Sequence, residues 1–291
     1  MSEPSAAKIH LGTCAWSFDE WRGVFYPEHL PPAERLSFYG KWFDAVEADS
    51  TFYHVPTPAV AAHWAEVTPA DFRFSCKLSR EITHELRLRE SDALLAAFLR
   101  GVENLGDKLG CVLVQLPPKF LPKHDEHALR EFVHGLPRGF RWAVEFRDHS
   151  WRFPRIVHLL EQYGVAWVWN DLTPLKDADA AAFDFLPRTT DFALVRLMGD
   201  PATKYYPDGS HIHSYRAPMW PRAQSLDNWA AKIRQEPADL RTVFVFANNH
   251  FEGFAPCTAR EIGGRLGVQV RLPEPGDLHP EADPGQLRFW G

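Results

Sequence analysis

Short runs of apolar, β-branched and aromatic residues recur along the chain: IHLGT (9–13), AVEAD (45–49), FRFSCK (72–77), CVLVQL (111–116), RWAVEF (141–146), VAWVWN (165–170), FALVRL (192–197) and TVFVFA (242–247). Between most of them lie stretches whose apolar residues fall three and four apart, the spacing of one helix face. In SDALLAAFLRGVENLG, Ser91 stands at the N-cap position, and Leu94, Leu95, Phe98, Leu99, Val102 and Leu105 share a face. DEHALREFVHGL repeats the pattern through Leu129, Phe132, Val133 and Leu136. PRIVHLLEQYG opens on Pro154 and closes on Gly164, the usual asymmetry of helix ends. SLDNWAAKI and TAREIGGRLG supply two more helices, while the stretch after the sixth run, DLTPLKDADAAAFDFLPRTTD, carries a weak helical pattern.

Runs that are apolar throughout, not polar at every second position, mark parallel strands buried on both faces. Eight alternations of strand and helix within 291 residues predict an α/β protein, a single (β/α)8 TIM barrel. No G-x-G-x-x-G follows the first run, which weighs against a dinucleotide-binding sheet. The expected organisation is a flexible N-terminus (1–8), the barrel (9–270) and an extended C-terminal tail (271–291). Residues 199–224, rich in Pro and Tyr, form a long loop after the seventh strand, a length typical of functional lids or of disordered segments.

Barrel strands send alternate side chains to the helices and to the axis. In the fifth run Trp142, Val144 and Phe146 then face the helices, and Ala143, Glu145 and Arg147 face the axis. The same parity turns Glu47 and Asp49 inward on the second run, Arg73, Ser75 and Lys77 on the third, Gln115 on the fourth and Arg196 on the seventh. Glu47, Lys77, Gln115, Glu145 and Arg196 therefore converge near the C-terminal ends of the strands, where barrel enzymes keep their chemistry. Buried singly, such groups would cost several kcal/mol each, so they are expected to pair.

Composition narrows the function more than the fold. A formal net charge of −6 argues against general affinity for nucleic acid or anionic membrane. The four cysteines (Cys14, Cys76, Cys111, Cys257) show neither C-x-x-C nor zinc-type spacing, and no signal-peptide core or membrane-length apolar run is present. A soluble, cytoplasmic protein with reduced thiols is expected. Eleven Trp and 21 Phe fit a well-filled interior, yet Trp16, Trp21, Trp151 and Trp169 sit beside polar loop residues and could offer stacking faces.

Six blocks carry a resemblance: GTCAWSFDEWRGVFYP (12–27), VEADSTFYHVP (46–56), FRFSCK with EITHEL (72–86), LGCVLVQLPPKF (109–120), AVEFRDHSW (143–151) and VFVFANNHFEGFAP (243–256). In this order, and over nearly the whole chain, they resemble the YecE-like family, domain of unknown function 72. The resemblance implies a (β/α)8 barrel and no particular reaction. The family pattern has Ser or another small residue where Cys14 stands, Asn where Asp49 stands, and R-x-H-G at the end of the seventh strand. This chain reads RLMG there, with Met198 in the His place, so it would be an altered or specialised member if that His is essential.

The chemistry expected at the mouth is acid/base work on a small polar, anionic or phosphorylated substrate. Glu47 or Glu145 would be the general acid or base, and Lys77, Arg147 and Arg196 would hold fixed or developing negative charge. A strand-end lysine such as Lys77 also fits Schiff-base chemistry. Trp16 and Tyr53 would wall the pocket, with Asp49 and Gln115 beside the ligand. Asn248 or Asn249, with Gly199 and the helix after Gly253, would complete an anion site at the seventh and eighth strands, unless the two Asn only turn or cap the chain. No cofactor is expected. A divalent metal stays open, because His54, His84, His149 and His250 follow strands beside Glu47, Asp49, Glu145 and Asp171, whereas the HIH of 211–213 lies in the long loop. The alternatives are a non-catalytic module binding a small carboxylated or phosphorylated molecule, a glycosidase-like hydrolase and a metal-dependent hydrolase.

Overall fold

A computed structural model of the chain describes residues 7–171, 185–199, 215–219, 222–235, 239–250 and 253–278. Each apolar run forms a strand: β1 (Lys8–Thr13), β2 (Ala45–Ala48), β3 (Arg73–Lys77), β4 (Leu109–Gln115), β5 (Trp142–Glu145), β8 (Phe192–Leu197) and β9 (Thr242–Ala247). The sixth run is broken at Val168 into β6 (Val165–Trp167) and β7 (Trp169–Asn170). The helices are α1 (Arg35–Tyr39), α2 (Pro58–Glu66), α3 (Asp92–Val102), α4 (Pro122–Gly135), α5 (Pro154–Tyr163), α6 (Ala223–Arg234), α7 (Ala255–Leu266) and the short α8 (Pro275–Leu278).

All strand pairs are parallel, and they form two sheets, β2-β3-β4-β5-β6 and β1-β9-β8-β7, where one closed barrel was expected. Both seams have the same cause, a polar side chain taking backbone groups that a neighbouring strand would otherwise use. Between β1 and β2, Asp44 Oδ1 accepts Leu11 N–H at 2.8 Å and Tyr39 Oη accepts Thr13 N–H at 2.9 Å. Only an isolated bridge between Cys14 and Glu47 joins those strands. Between β6 and β8, Thr189 Oγ1 accepts Trp167 N–H at 2.9 Å and donates to Val165 O at 2.6 Å. Pairing with β8 starts at Trp169.

Side chains divide as the parity predicts. Val46, Phe74, Cys76, Val112, Val144 and Val195 join the large core beneath the helices. Cys14, Ala45, Cys111, Leu113, Ala143, Ala166, Leu194 and Phe246 form a second, inner cluster. Gly12 of β1 lies against the backbone of β2, and a Cβ there would sit 1.9 Å from Ala45 O. Gly12→Ala is expected to cost about 1–3 kcal/mol, as overpacking of a tight interior does, read as a lower urea midpoint.

Several local expectations change. Ser91 does not cap α3, because its hydroxyl donates back to Leu88 O at 3.3 Å, and Leu105 falls in a 3-10 turn past the helix end. Lys8 already belongs to β1, its N–H donating to Arg241 O, so the flexible N-terminus cannot extend to residue 8. The tail is not extended throughout, since Asp277 Oδ2 accepts Glu274 N–H and starts the turn of α8 with Leu278 buried. Pro154 and Gly164 do bound α5, the glycine in a left-handed conformation at φ 66°. The weak sixth helix and most of the long loop after the seventh strand lie outside the described residues. Among the described residues no helix is long and apolar enough to cross a membrane.

Candidate active site at the strand ends

Register sets the height of each inward side chain. Glu47 pairs with Ser75, Gln115 with Glu145 and Asn170 with Arg196, so the charged residues stand at the C-terminal ends of their strands. Arg196 is at the centre. Its guanidinium grips Glu47 bidentately, Nε to Oε2 at 2.8 Å and Nη2 to Oε1 at 2.6 Å. Nη1 donates to Glu145 Oε2 and, at 3.5 Å, to Gln115 Oε1, while Nη2 lies 3.8 Å from Cys14 Sγ. The other oxygen of Glu145 pairs with Arg147. Glu47, Glu145 and Arg196 are buried, and Arg147 is the member of this chain of charges that reaches solvent.

Arginine suits the centre because its planar fork can serve two carboxylates at once, which the point charge of lysine cannot. Burial alone pushes the Glu145 carboxyl up, but Arg147, Arg196 and Lys77 outweigh it and hold its pKa below the ordinary carboxylate value. Burial likewise works against the Arg196 charge, yet Glu145 and Glu47 keep it firmly protonated. Burial and Glu47 push the Cys14 thiol up, so it is neutral.

A second layer lies nearer solvent. Lys77 Nζ donates to Asp49 Oδ1 at 2.8 Å and stands 4.1 Å from the centre of the Phe52 ring. Thr51 Oγ1 donates to Lys77 O at 2.7 Å, tying the turn after β2 to the end of β3. Half-buried His84 meets the same Phe52 ring edge-on at 5.0 Å. Ala15, whose N–H donates to Glu47 O, holds φ at 80°, a left-handed conformation costly for a residue with a Cβ and met mostly at functional sites.

Glu47, Gln115, Glu145, Arg147 and Arg196 thus come together, with Lys77 and Asp49 above them. The other expected ligand contacts do not gather there. Tyr53 is 63% exposed, and Trp16 packs edge-on against Trp64 at 5.2 Å. Trp21, Trp151 and Trp169 are core residues, the last two donating to Phe120 O and Pro187 O, so none offers a stacking face. Asn248 Oδ1 accepts His250 N–H and Asn249 Oδ1 accepts Ala255 N–H, so both carbonyls turn and cap the chain, while the buried amide nitrogen of Asn249 has no hydrogen-bond partner among the described residues. The backbone donors expected for an anion after the seventh strand are taken too. Asp171 Oδ1 accepts Met198 N–H at 2.6 Å and Gly199 N–H at 3.2 Å, and Arg222 holds its other oxygen.

Among the described residues no three His, Cys, Asp or Glu side chains gather as a metal site. His54 is exposed and His250 Nδ1 meets Tyr215 Oη at 2.9 Å. Sequence reasoning missed Asp171 as an internal anion and Phe52 as the ring shared by Lys77 and His84. The sequence places His84 after a strand, but nothing in it shows the backbone that brings His84 beside Lys77.

The family described as "Protein of unknown function DUF72" matches residues 10–282. The UPF0759 protein YecE of Escherichia coli O157:H7 is 34% identical over 176 residues, 58% of this chain and 61% of the relative. YecE of strain K12 matches over 48% of its length, so the chain spans about half to three-fifths of these two relatives. The UPF0759 protein YunF of Bacillus subtilis is 24% identical over 278 residues, 90% of this chain and 95% of YunF. A crystal structure of a DUF72 family protein from Thermotoga maritima superposes with a TM-score of 0.71 at 26% identity, covering 89% of this chain and 99% of that one. One from Enterococcus faecalis gives 0.72 at 20% identity, over 92% and 98%, a likeness of fold. With its family match spanning nearly its whole length, this chain belongs to the DUF72 family.

Proposed function

We propose that this protein is an enzyme acting on a small anionic substrate at the C-terminal ends of its strands. The supporting observation is the two-layer arrangement of charge. Below, Glu47, Arg196, Glu145 and Arg147 compensate one another in a buried, rigid chain. Above it, Lys77 is buried against Asp49, whose carboxylate is partly exposed, as is Arg147. A carboxylate held between two guanidiniums and kept ionised is a poor proton donor. Glu145 is therefore read as a fixed anion that orients Arg196 and Arg147, Glu47 as the carboxylate that grips Arg196, and contact with the substrate's negative charge falls to Lys77 and Arg147. The two sheets are read as one (β/α)8 barrel opened at two seams. The Cys14–Glu47 bridge, the Val168 N–H bond to Val144 O and an inner cluster drawn from both sheets support this. Four free thiols favour a reducing, cytoplasmic setting.

Thermal shift of the purified chain against inorganic phosphate, sugar phosphates, nucleotides and organic acids, with and without Mg2+, Mn2+ and Zn2+, tests the reading. A ligand at about 100 times its Kd stabilises by roughly 2.7 kcal/mol, about 5 °C or more at this size. The expected result is such a shift in the wild type that Lys77→Met abolishes. If no anion shifts either protein, the cluster is a structural plug. Binding without turnover of any hit would make the protein a binding module.

A further inference from the structure

The segment after β3 is built in an unusual way. Leu86 N–H donates to Glu81 O at 2.8 Å, closing a π-type turn over Glu81–Glu85, a geometry frequent at functional sites. Arg87, Leu88 and Glu90 then hold φ at 52°, 67° and 48°, left-handed values rare for residues with a Cβ. Asp125 of α4 fastens this backbone. It is fully buried and accepts from Arg87 at 2.5 and 3.2 Å, from Arg89 at 3.0 Å and from Leu121 N–H at 2.8 Å. What this clamp presents at the mouth is His84, on the Phe52 ring that also carries Lys77.

The hydrogen bonds around that imidazole bear on which nitrogen carries its proton. Thr83 Oγ1 has one hydrogen, which we assign to Ser79 O, 3.0 Å away, an oxygen that also accepts Thr83 N–H. Toward His84 Nδ1, 2.9 Å away, the hydroxyl can then only accept. Nδ1 carries the hydrogen of the neutral ring, and the lone pair is on Nε2. We propose that His84 is the proton-accepting residue of this mouth, offering Nε2 to a ligand whose carboxylate or phosphate lies against Lys77 and Arg147. The inference rests on the anionic-substrate reading above. In the step it describes, a proton leaves an O–H or C–H of the ligand for Nε2, giving the imidazolium. The electron pair stays on the ligand, near the Lys77 ammonium.

Electrostatics make this base depend on its ligand. Burial first, then Lys77, Arg147, Arg80 and Arg87, push the imidazole down to about 4. Each of those cations has a carboxylate of its own: Asp49 for Lys77, Glu145 for Arg147, Glu85 for Arg80 and Asp125 for Arg87. Burial together with these cations keeps His84 neutral in the free protein. A bound anion offsets that field and raises the basicity of Nε2 toward neutral pH, where a general base works best.

The test is the histidine nitrogen and proton spectrum of the full chain, with His84 assigned by its loss in His84→Gln. At neutral pH the free protein should show the Nδ1–H form, and His84 should titrate well below the usual histidine range. Inorganic phosphate, its binding followed separately by calorimetry, should raise that value by about 1–3 pH units. Lys77→Met should raise it in the free protein. An Nε2–H form, or an ordinary histidine value in the free protein, overturns the assignment. Phosphate that binds by calorimetry yet leaves His84 unmoved overturns it while the anionic mouth stands. Phosphate that does not bind at all overturns the anionic mouth and this inference with it.

Discussion

Arg196→Met is expected to destabilise the protein by about 3–5 kcal/mol, the usual cost of removing one partner from a buried ion pair. Two buried carboxylates, Glu47 and Glu145, lose the cation they share, and Met fills much of the space without supplying a donor. The pH dependence should also change sign. In the wild type the Glu145 pKa is depressed, so its contribution is fully present above the unfolded value of about 4.3. It is lost as pH falls through the lower folded value. In the variant, burial opposed only by Arg147 and Lys77 is expected to raise the Glu145 pKa, so its contribution is lost as pH rises above about 4.3 and recovered as pH falls toward it. Urea midpoints from acid to neutral pH measure both effects. A variant that keeps the acid-side slope of the wild type would show that Arg196 is not what keeps these carboxylates charged.

Asp125→Ala is the second large effect. The buried carboxylate serves Arg87, Arg89 and Leu121 N–H together, and its loss leaves three donors facing a cavity. About 1–3 kcal/mol is expected, mainly from the hydrogen bonds lost, because Arg87 and Arg89 are partly exposed and can turn to solvent. The particular signature is local. With the clamp gone, Arg87, Leu88 and Glu90 have little reason to keep left-handed backbone, so amide exchange over residues 81–90 should quicken more than in the strands. Uniform acceleration would mean that Asp125 supports the fold as a whole and not this segment.

Much of the architecture was legible along the chain, because buried parallel strands and amphipathic helices leave their period in the sequence. Every apolar run from IHLGT to TVFVFA contains a strand, and the alternation within RWAVEF assigned Trp142 and Val144 to the helix side and Ala143 and Glu145 to the inside. A period of two is a property of the backbone, so it follows from local order. For the same reason the convergence of Glu47, Gln115, Glu145 and Arg196 could be expected before their distances were known.

What tertiary structure alone decided are the places where distant segments compete for one hydrogen-bonding group. Asp44 and Tyr39 take the amides of β1, and Thr189 takes those of β6, so one expected barrel ladder became two sheets. Asp171 occupies the Met198 and Gly199 amides, which along the sequence were open to an anion. Asn248 and Asn249 spend their carbonyls on the chain itself. His84 gains its meaning from Phe52, 32 positions away in sequence, and from an aspartate on another helix that holds its loop. Sequence period determines which way a side chain points; which partner reaches it first is settled only when the whole chain has folded.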